Sequence, residues 1–347
     1  MDNRRYLHKI VGLLDSRHFG ALNQRKSLIK IYSSLNLEDY SVAEKVSLPY
    51  NLCRPQALSD FMHSTRLSLE RASLQSLFDD LLSRANQPPQ TGSLPLFVGG
   101  HRCGWLFSKA AQALSGLEGV ELKPDHAHIG RLVESKSALN ALLASLANTL
   151  RTAGCAPGWR NELLDVWVDN DHPEAASNLN KPIAAIERGI VRPLGLITRA
   201  VHLSGWSSDG GLWVARRALT KATDPGMWDT LVGGLISSQE DLQTGLVRES
   251  DEEAGLDPQD IANRTPLRTI TRMRRQVPEG YQAEDVLTCE CVLPASATPK
   301  NRDGEVMEIK LLAPSTIFNM LKEGAFTLEA SIVLTEDLLR RSETGSI

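Results

Sequence analysis

Several things are scarce in this chain of 347 residues, and each scarcity excludes something. Its apolar runs fall well short of the roughly 18–20 residues that a membrane span needs, so no span is expected. The opening stretch, MDNRRYLHKIVGLLDSRHFG, breaks its short apolar run with charges, which is not the pattern of a secretory signal. Neither sign of charge is in surplus. The balance is 38 basic against 42 acidic residues, or −4, which argues against a nucleic-acid or membrane partner. Cysteine is limited to Cys53, Cys103, Cys155, Cys289 and Cys291, too few at this length for a disulfide framework, so a reducing, cytoplasmic compartment is expected. Cys289 and Cys291 are spaced to share one strand face, and no second Cys/His pair stands near them. They are expected to be buried free thiols rather than zinc ligands. Internal repeats and sustained heptads are also missing.

The length suggests two domains, or one domain with an extension. The first 71 residues carry 11 basic and 7 acidic side chains, so the chain is slightly basic at its start and acidic thereafter. Residues 1–66, with broken helical patterns, are read as a helical N-terminal extension. A helical pattern over Leu67–Ala85 ends in a turn-rich cluster at 86–93. Residues 67–175 are then expected to form a small α+β domain. It contains a hairpin turning at Gly99-Gly100, a helix over Ser108–Leu114, short strands near Val120 and Ile129, and a long helix over Lys136–Thr152. The polar stretch Asp169–Asn180 reads as a connection. Beyond it come a helical pattern over Pro182–Arg188 and strand-like runs at Pro193–Ser204, Gly211–Arg217 and Leu231–Ile236. A strong helix over about Glu240–Ala254 follows, then strands near 267–273 and 286–293, and helices over 314–322 and 328–341. Helices and strands in this mixed order indicate an α+β or α/β layered fold.

The most informative segment runs from Gly234 to Leu256. Ser237-x-x-Glu240 has the form of a capping box, and Gly255 that of a helix stop. Between them Glu249, Glu252 and Glu253 stand at i, i+3 and i+4, on nearly one helix face. Like charges so placed repel, and the cost is best tolerated where something cationic sits between them. Clustered carboxylate oxygens suit Mg²⁺ or Mn²⁺, which in turn hold phosphates. An acidic cluster of this kind is ordinarily a solvated face, but here the whole spacing is unusual. Gly234, Glu240, Arg248, Glu249, Glu252, Glu253, Gly255 and Leu256 stand in the register G-x5-E-x7-R-E-U-x-E-E-x-G-U, where U is aliphatic. Only Ser250 departs, at an aliphatic position, and Gly245 stands where alanine is frequent.

This spacing resembles the Nudix box, so residues 183–347 are expected to fold as a Nudix α/β/α sandwich with a mixed sheet. The resemblance implies hydrolysis of a small-molecule diphosphate with Mg²⁺ or Mn²⁺. Glu249, Glu252 and Glu253 would be metal ligands, with the carbonyl of Gly233 or Gly234 a further one. Glu240 and Arg248 would be orienting residues, and Glu253 or Glu305 would accept the proton of the attacking water. The flanking motifs Leu212-Trp213-Val214-Ala215-Arg216-Arg217, Pro225-Gly226-Met227-Trp228-Asp229 and Asp303-Gly304-Glu305-Val306 narrow the likeness. With Gly104-Trp105-Leu106 and Gly158-Trp159-Arg160-Asn161-Glu162, they resemble a Nudix subgroup that carries an extra N-terminal domain. That subgroup is related to thiamine pyrophosphokinase-associated proteins, which implies removal of phosphate from thiamine diphosphate or its oxidised or damaged analogues.

Three other outcomes stay open at this level. They are a nucleoside diphosphate substrate of the ADP-ribose or NADH type, an isomerase resembling the isopentenyl diphosphate type, and a binding module on a dead Nudix fold. The isomerases use a cysteine just after the Trp-Asp segment, where this chain has Thr230-Leu231-Val232, and the intact R-E-x-x-E-E argues against a dead fold. Arg216, Arg217 and Lys221 are candidate diphosphate clamps. Since neighbours on a strand face opposite ways, at most one of the two arginines can point into the site. Arg272, Arg274 and Arg275 form a further basic cluster. Trp206, Trp213 and Trp228 are candidates to stack on a heterocycle such as a thiazolium, and Trp105 or Trp159 to wall the pocket. His202 reads as structural. Oligomeric state is not encoded in any pattern of the chain.

Overall fold

The computed structural model describes residues 71–169, 181–221 and 223–344. The patterns before residue 71, Cys53 and most of the 169–180 connection lie outside them. Residues 71–84 are helical (α1). A small sheet follows, from β1 (Leu94–Val98), β2 (His101–Leu106), β3 (Val120–Leu122) and β4 (Ala127–Ile129), in the order β2-β1-β4-β3. The hairpin turns at Gly99 and Gly100, both at positive φ (56° and 84°), which glycine adopts without penalty. Helices α2 (Ser108–Leu114) and α3 (Lys136–Thr152) belong to the same layer. In α3 the apolar positions Leu139, Leu143, Leu146, Ala147 and Leu150 recur at helical spacing and are the buried ones. Ser135 caps the helix by accepting from the Ala138 N–H at 3.2 Å. The stripe packs with Leu96, Val98 and Ile129 of the sheet into one core.

Where the pattern over 182–188 predicts a helix, the chain runs instead as strand β6 (Ala184–Glu187) and a 3₁₀ turn (Arg188–Ile190). β6 pairs antiparallel with β5 (Leu163–Val166), and all four of its residues are buried. Burial on both faces leaves no alternation, so an Ala-rich apolar run imitates a helix. Ala184, Ile186, Ile190, Leu194 and Leu196 pack into the first core although they follow the 169–180 connection.

The larger sheet is mixed, in the order β11-β12-β7-β8-β13, with β10 on β7 and β9 on β8. Its strands are β7 (Ile197–Trp206), β8 (Leu212–Arg217), β9 (Trp228–Thr230), β10 (Val232–Leu235), β11 (Arg268–Val277), β12 (Gly280–Val292) and β13 (Val306–Leu312). β12 lies parallel to β7, and the other pairings are antiparallel. Helix α4 (Leu242–Ala254) covers one face, where Leu246 and Ala254 meet Val201, Leu203, Leu287 and Cys289. Helices α5 (Pro314–Lys322) and α6 (Leu328–Thr344) cover the other, where Ile317, Leu321, Leu334 and Leu338 meet Trp206, Leu212 and Val214. This is the Nudix α/β/α sandwich expected from the box. Cys103, Cys155, Cys289 and Cys291 are free and buried. Burial pushes the Cys103 and Cys289 thiols up to about 12.

The two layers meet backbone to backbone. The Trp105 N–H donates to the Leu194 carbonyl at 3.0 Å, and a Cβ on Gly104 would stand 2.5 Å from that same oxygen. Gly104→Ala is therefore expected to destabilise the protein by about 1–3 kcal/mol, the usual cost of forcing atoms into a filled contact. Guanidinium unfolding followed by tryptophan fluorescence measures it, and a wild-type midpoint would show that the contact yields freely.

Candidate active site

Helix α4 is framed by two local devices. Asp241 is the N-cap, accepting from the Gln243 and Thr244 N–H groups at 2.9 and 2.8 Å. Ser237 therefore does not cap the helix. Its N–H reaches Glu240 Oε2 at 3.2 Å, and its hydroxyl donates to Glu162 at 2.9 Å. Gly255, left-handed at φ 62°, ends the helix. Both departures from the pattern have a place. Ser250 is fully buried and donates to the Leu246 carbonyl at 2.6 Å, while a Cβ on Gly245 would stand 2.4 Å from Ile236. The small residues let α4 lie close against the sheet.

Arg248 organises the carboxylates. Its Nε and one Nη hold both oxygens of Glu240 at 2.8 and 2.9 Å, a fork-on-carboxylate pair. The other Nη donates to Glu249 and Glu252 at 2.9 Å each, and the Leu235 carbonyl accepts at 3.2 Å. The Glu240 bonds raise the Arg248 pKa, and despite burial they hold Glu240 below the usual carboxylate range. Glu249 and Glu253 are buried, whereas the Glu252 side chain is 43% exposed. Gly233 donates its N–H to Glu253 at 2.8 Å, and a Cβ on Gly234 would stand 2.0 Å from the Glu249 carboxyl carbon. Strand β10 can approach α4 this closely only because position 234 is glycine, whereas a Cβ on Gly233 would meet the His202 ring at 3.0 Å. Burial pushes Glu253 up to about 7 and also raises Glu249.

A cleft in the sandwich is lined by Gly233, Lys221 and Glu305, and not by the buried Glu253 behind them. Lys221 lies 3.5 Å from Glu253 and also bonds Glu305, and burial lowers the lysine's pKa. Arg217 pairs with Asp229 at 2.9 Å. His202, opposite Gly233 in the β7–β10 register, meets Thr230 Oγ1 at 2.9 Å and Glu329 at 3.0 Å. The Thr230 hydroxyl already donates to the Val232 carbonyl at 2.8 Å, so His202 donates from Nδ1. Although burial opposes it, Glu329 raises the His202 pKa, and Glu329 itself is held at about 2. Glu284, beside it, accepts from Thr198 and Gln282 at 2.6 Å each and is pushed by burial to about 7. Glu284, Glu329 and His202 all line the cleft.

The donor set at α4 is all oxygen, which suits a hard divalent cation, and the glycine cradle brings the β10 backbone to Glu249 and Glu253. Among the described residues no three His, Cys, Asp or Glu side chains converge to hold a metal. The cations that draw the carboxylates together are Arg248 and Lys221.

Of the expected substrate contacts, Arg217 and Lys221 line the cleft, as do Gly234 and Glu305. Arg216 and Trp228 do not. They sit opposite each other across β8 and β9, with the guanidinium 5.9 Å from the indole centroid, on the face that strand alternation turns away. Trp206 is a core residue bonded to Asp337, and Trp213 packs beside the α4-side core. Trp105 and Trp159 lie outside the cleft, and no Trp, Tyr or Phe among the described residues lines it. Arg275 lines it, while Arg272 and Arg274 reach Asp169. Motif reading gave no role to Arg160, Arg188, Arg192, Asp229, Glu284 and Glu329, although Arg160 and Asp229 stand in motifs of the likeness. They come from five separate stretches, and only register against β7 and β8 would have grouped any of them.

Comparison with known proteins agrees with this geometry. Residues 198–331 match the family model described as NUDIX domain. The chain is similar to Nudix hydrolase 20, chloroplastic, of Arabidopsis thaliana, 31% identical over 205 residues, covering 57% of this chain and 52% of that protein. It is also similar to Nudix hydrolase 24, chloroplastic, of the same plant, 27% identical over 220 residues, covering 62% and 58%. The chain thus spans little more than half the length of these two relatives. An isopentenyl-diphosphate Delta-isomerase of Citrobacter koseri is 30% identical over 146 residues, covering 40% of this chain and 78% of that enzyme. With the box, its cradle and the sandwich in place, residues 198–331 of this chain form a NUDIX domain.

Proposed function

We propose that this chain hydrolyses a phosphoric anhydride bond with Mg²⁺ or Mn²⁺ held by Glu249, Glu252, Glu253 and a β10 glycine carbonyl, and that its substrate is thiamine diphosphate or an oxidised or damaged analogue. The observation that carries the reading is the buried Glu253, held by the Gly233 N–H and linked through Lys221 to Glu305 beside a cationic cleft. Bound there, a divalent cation neutralises the diphosphate and acidifies water. Lys221 and Arg217 bind the diphosphate oxygens, so Lys221 exchanges its carboxylate partners for phosphate. Glu240 and Arg248 orient the α4 carboxylates. Released from Lys221, Glu305 takes the proton of the attacking water. The water oxygen bonds to the terminal phosphorus, the bond from that phosphorus to the bridging oxygen breaks, and the monophosphate and phosphate leave.

The thiamine part rests on the likeness of the motifs around the box. Without an aromatic wall, two carboxylates of the cleft support it: Glu329, charged at neutral pH, and Glu284 would receive a cationic thiazolium. The isomerase reading is favoured by the Citrobacter relative, but Thr230 stands where those enzymes place their cysteine, with its hydroxyl committed to Val232. The free, buried thiols support a reducing compartment, which we take to be the cytoplasm.

Two measurements test this reading. Phosphate release should be compared, with Mg²⁺ and with Mn²⁺, for thiamine diphosphate, its oxidised analogues, ADP-ribose, NADH and isopentenyl diphosphate. The thiamine-type diphosphates are expected to react fastest, and a clear preference for ADP-ribose would remove the thiamine assignment. Glu252→Gln and Glu253→Gln are each expected to lower turnover by about 100-fold or more, since residues one step further from a metal already cost 10–100-fold. Circular dichroism should be unchanged. Near-wild-type turnover in both variants would overturn the metal assignment.

A further inference from the structure

The catalytic cleft continues beyond the NUDIX segment. A second cavity shares Arg160, Arg188, Arg192, Thr223 and Leu235 with it, so the two form one groove. Glu284, Glu329, Lys221, Glu305 and Gly233 line the first cavity, and three guanidinium groups that precede residue 198 line both. Their side chains are not equivalent. Arg188 is committed to Glu162 at 2.7 Å, and Arg192 to Thr223 at 3.0 Å with Glu279 at 3.5 Å. Arg217, Lys221 and Arg275 have carboxylate partners too. Arg160 alone among these cleft cations has no hydrogen-bond or ion-pair partner for its guanidinium among the described residues.

The turn that carries Arg160 is built to hold it there. Its N–H donates to Glu187 at 2.7 Å, and the same carboxylate oxygen accepts from Gly189 at 3.3 Å. Glu187 is only 5% exposed, and the two amide hydrogen bonds offset part of the cost of burying its carboxylate. Next in the chain, Asn161 is left-handed at φ 57°, and its side chain accepts from the Trp159 indole at 2.8 Å. Arg151 lies 4.4 Å from that indole's centroid. Glu162 then ties the turn to Arg188 and to Ser237, just ahead of α4. Every neighbour of Arg160 is anchored, and its own side chain is left over.

A planar guanidinium with free donors matches a phosphate with free oxygens. A diphosphate esterified at one end exposes a terminal phosphate that ionises a second time, near pH 6. A diphosphate esterified at both ends has neither the extra charge nor the free face. We propose that Arg160 is a specificity-determining residue that selects substrates ending in an unesterified phosphate over diphosphates esterified at both ends. This rests on the diphosphate-hydrolase reading above and narrows it.

The experiment compares the full-length wild type, Arg160→Ala and Arg160→Lys with Mg²⁺. Kinetics on thiamine diphosphate and on ADP-ribose are paired with calorimetric binding of methylenediphosphonate and of its P,P′-dimethyl ester. Arg160→Ala should raise KM for thiamine diphosphate about 10-fold with kcat within about twofold, and leave both constants for ADP-ribose within about twofold. It should weaken methylenediphosphonate about 10-fold and the diester hardly at all, and Arg160→Lys should recover part of the loss. Equal factors for both ligands of a pair, or no change, would overturn the assignment. If the wild type hydrolyses neither substrate, the hydrolase reading fails, and the two calorimetric titrations still decide the role of Arg160.

Discussion

The guanidinium of Arg248 is the contact on which the rest of the site depends. It joins Glu240 in the loop before α4, Glu249 and Glu252 on the helix, and the Leu235 carbonyl of β10. Three carboxylates on adjacent turns would repel one another and loosen the helix. A fixed, delocalised cation among them converts that repulsion into a constraint on where the helix sits. The half-buried position strengthens each bond relative to the same pair in water. The glycine at 234 belongs to the same close approach, because a Cβ there would stand 2.0 Å from the Glu249 carboxyl carbon.

The groove carries charges of both signs. Within it His202 lies between the Thr230 hydroxyl and Glu329, a buried arrangement that keeps Glu329 charged while its neighbour Glu284 is pushed toward protonation. Arginines act on both carboxylates, Arg192 on Glu284 and Arg275 on Glu329. The segment preceding the NUDIX match supplies Arg160, Arg188 and Arg192 to the lining, so the additional layer helps to build the cleft as well as to pack against the sandwich.

Much of this was legible before any coordinates. The box spacing located α4 and its stop at Gly255, because those features are local and periodic. The Gly99-Gly100 turn and the Lys136–Thr152 helix were legible for the same reason. Strand β6 was not: Ala184-Ala185-Ile186-Glu187 is buried on both faces by partners far away in the chain, and no periodicity survives. Arg160 stood in a quoted motif without a role and Arg192 in none, because both come to the cleft only through tertiary contacts. Trp228 misled in the opposite sense. It sits in a recognisable motif, but β9 turns its ring toward Arg216 on the far face.

The buried thiols of the sheet have a practical corollary. At neutral pH a thiol titrating near 12 is ionised in only about one molecule in 10⁵, and only the thiolate is nucleophilic. Cys289, between β7 and the α4 layer, is therefore silent toward alkylating reagents while the sheet is closed. Modification of that sulfur can proceed only through molecules in which β12 has opened, so its rate is a built-in clock for the breathing of the sheet that carries the site.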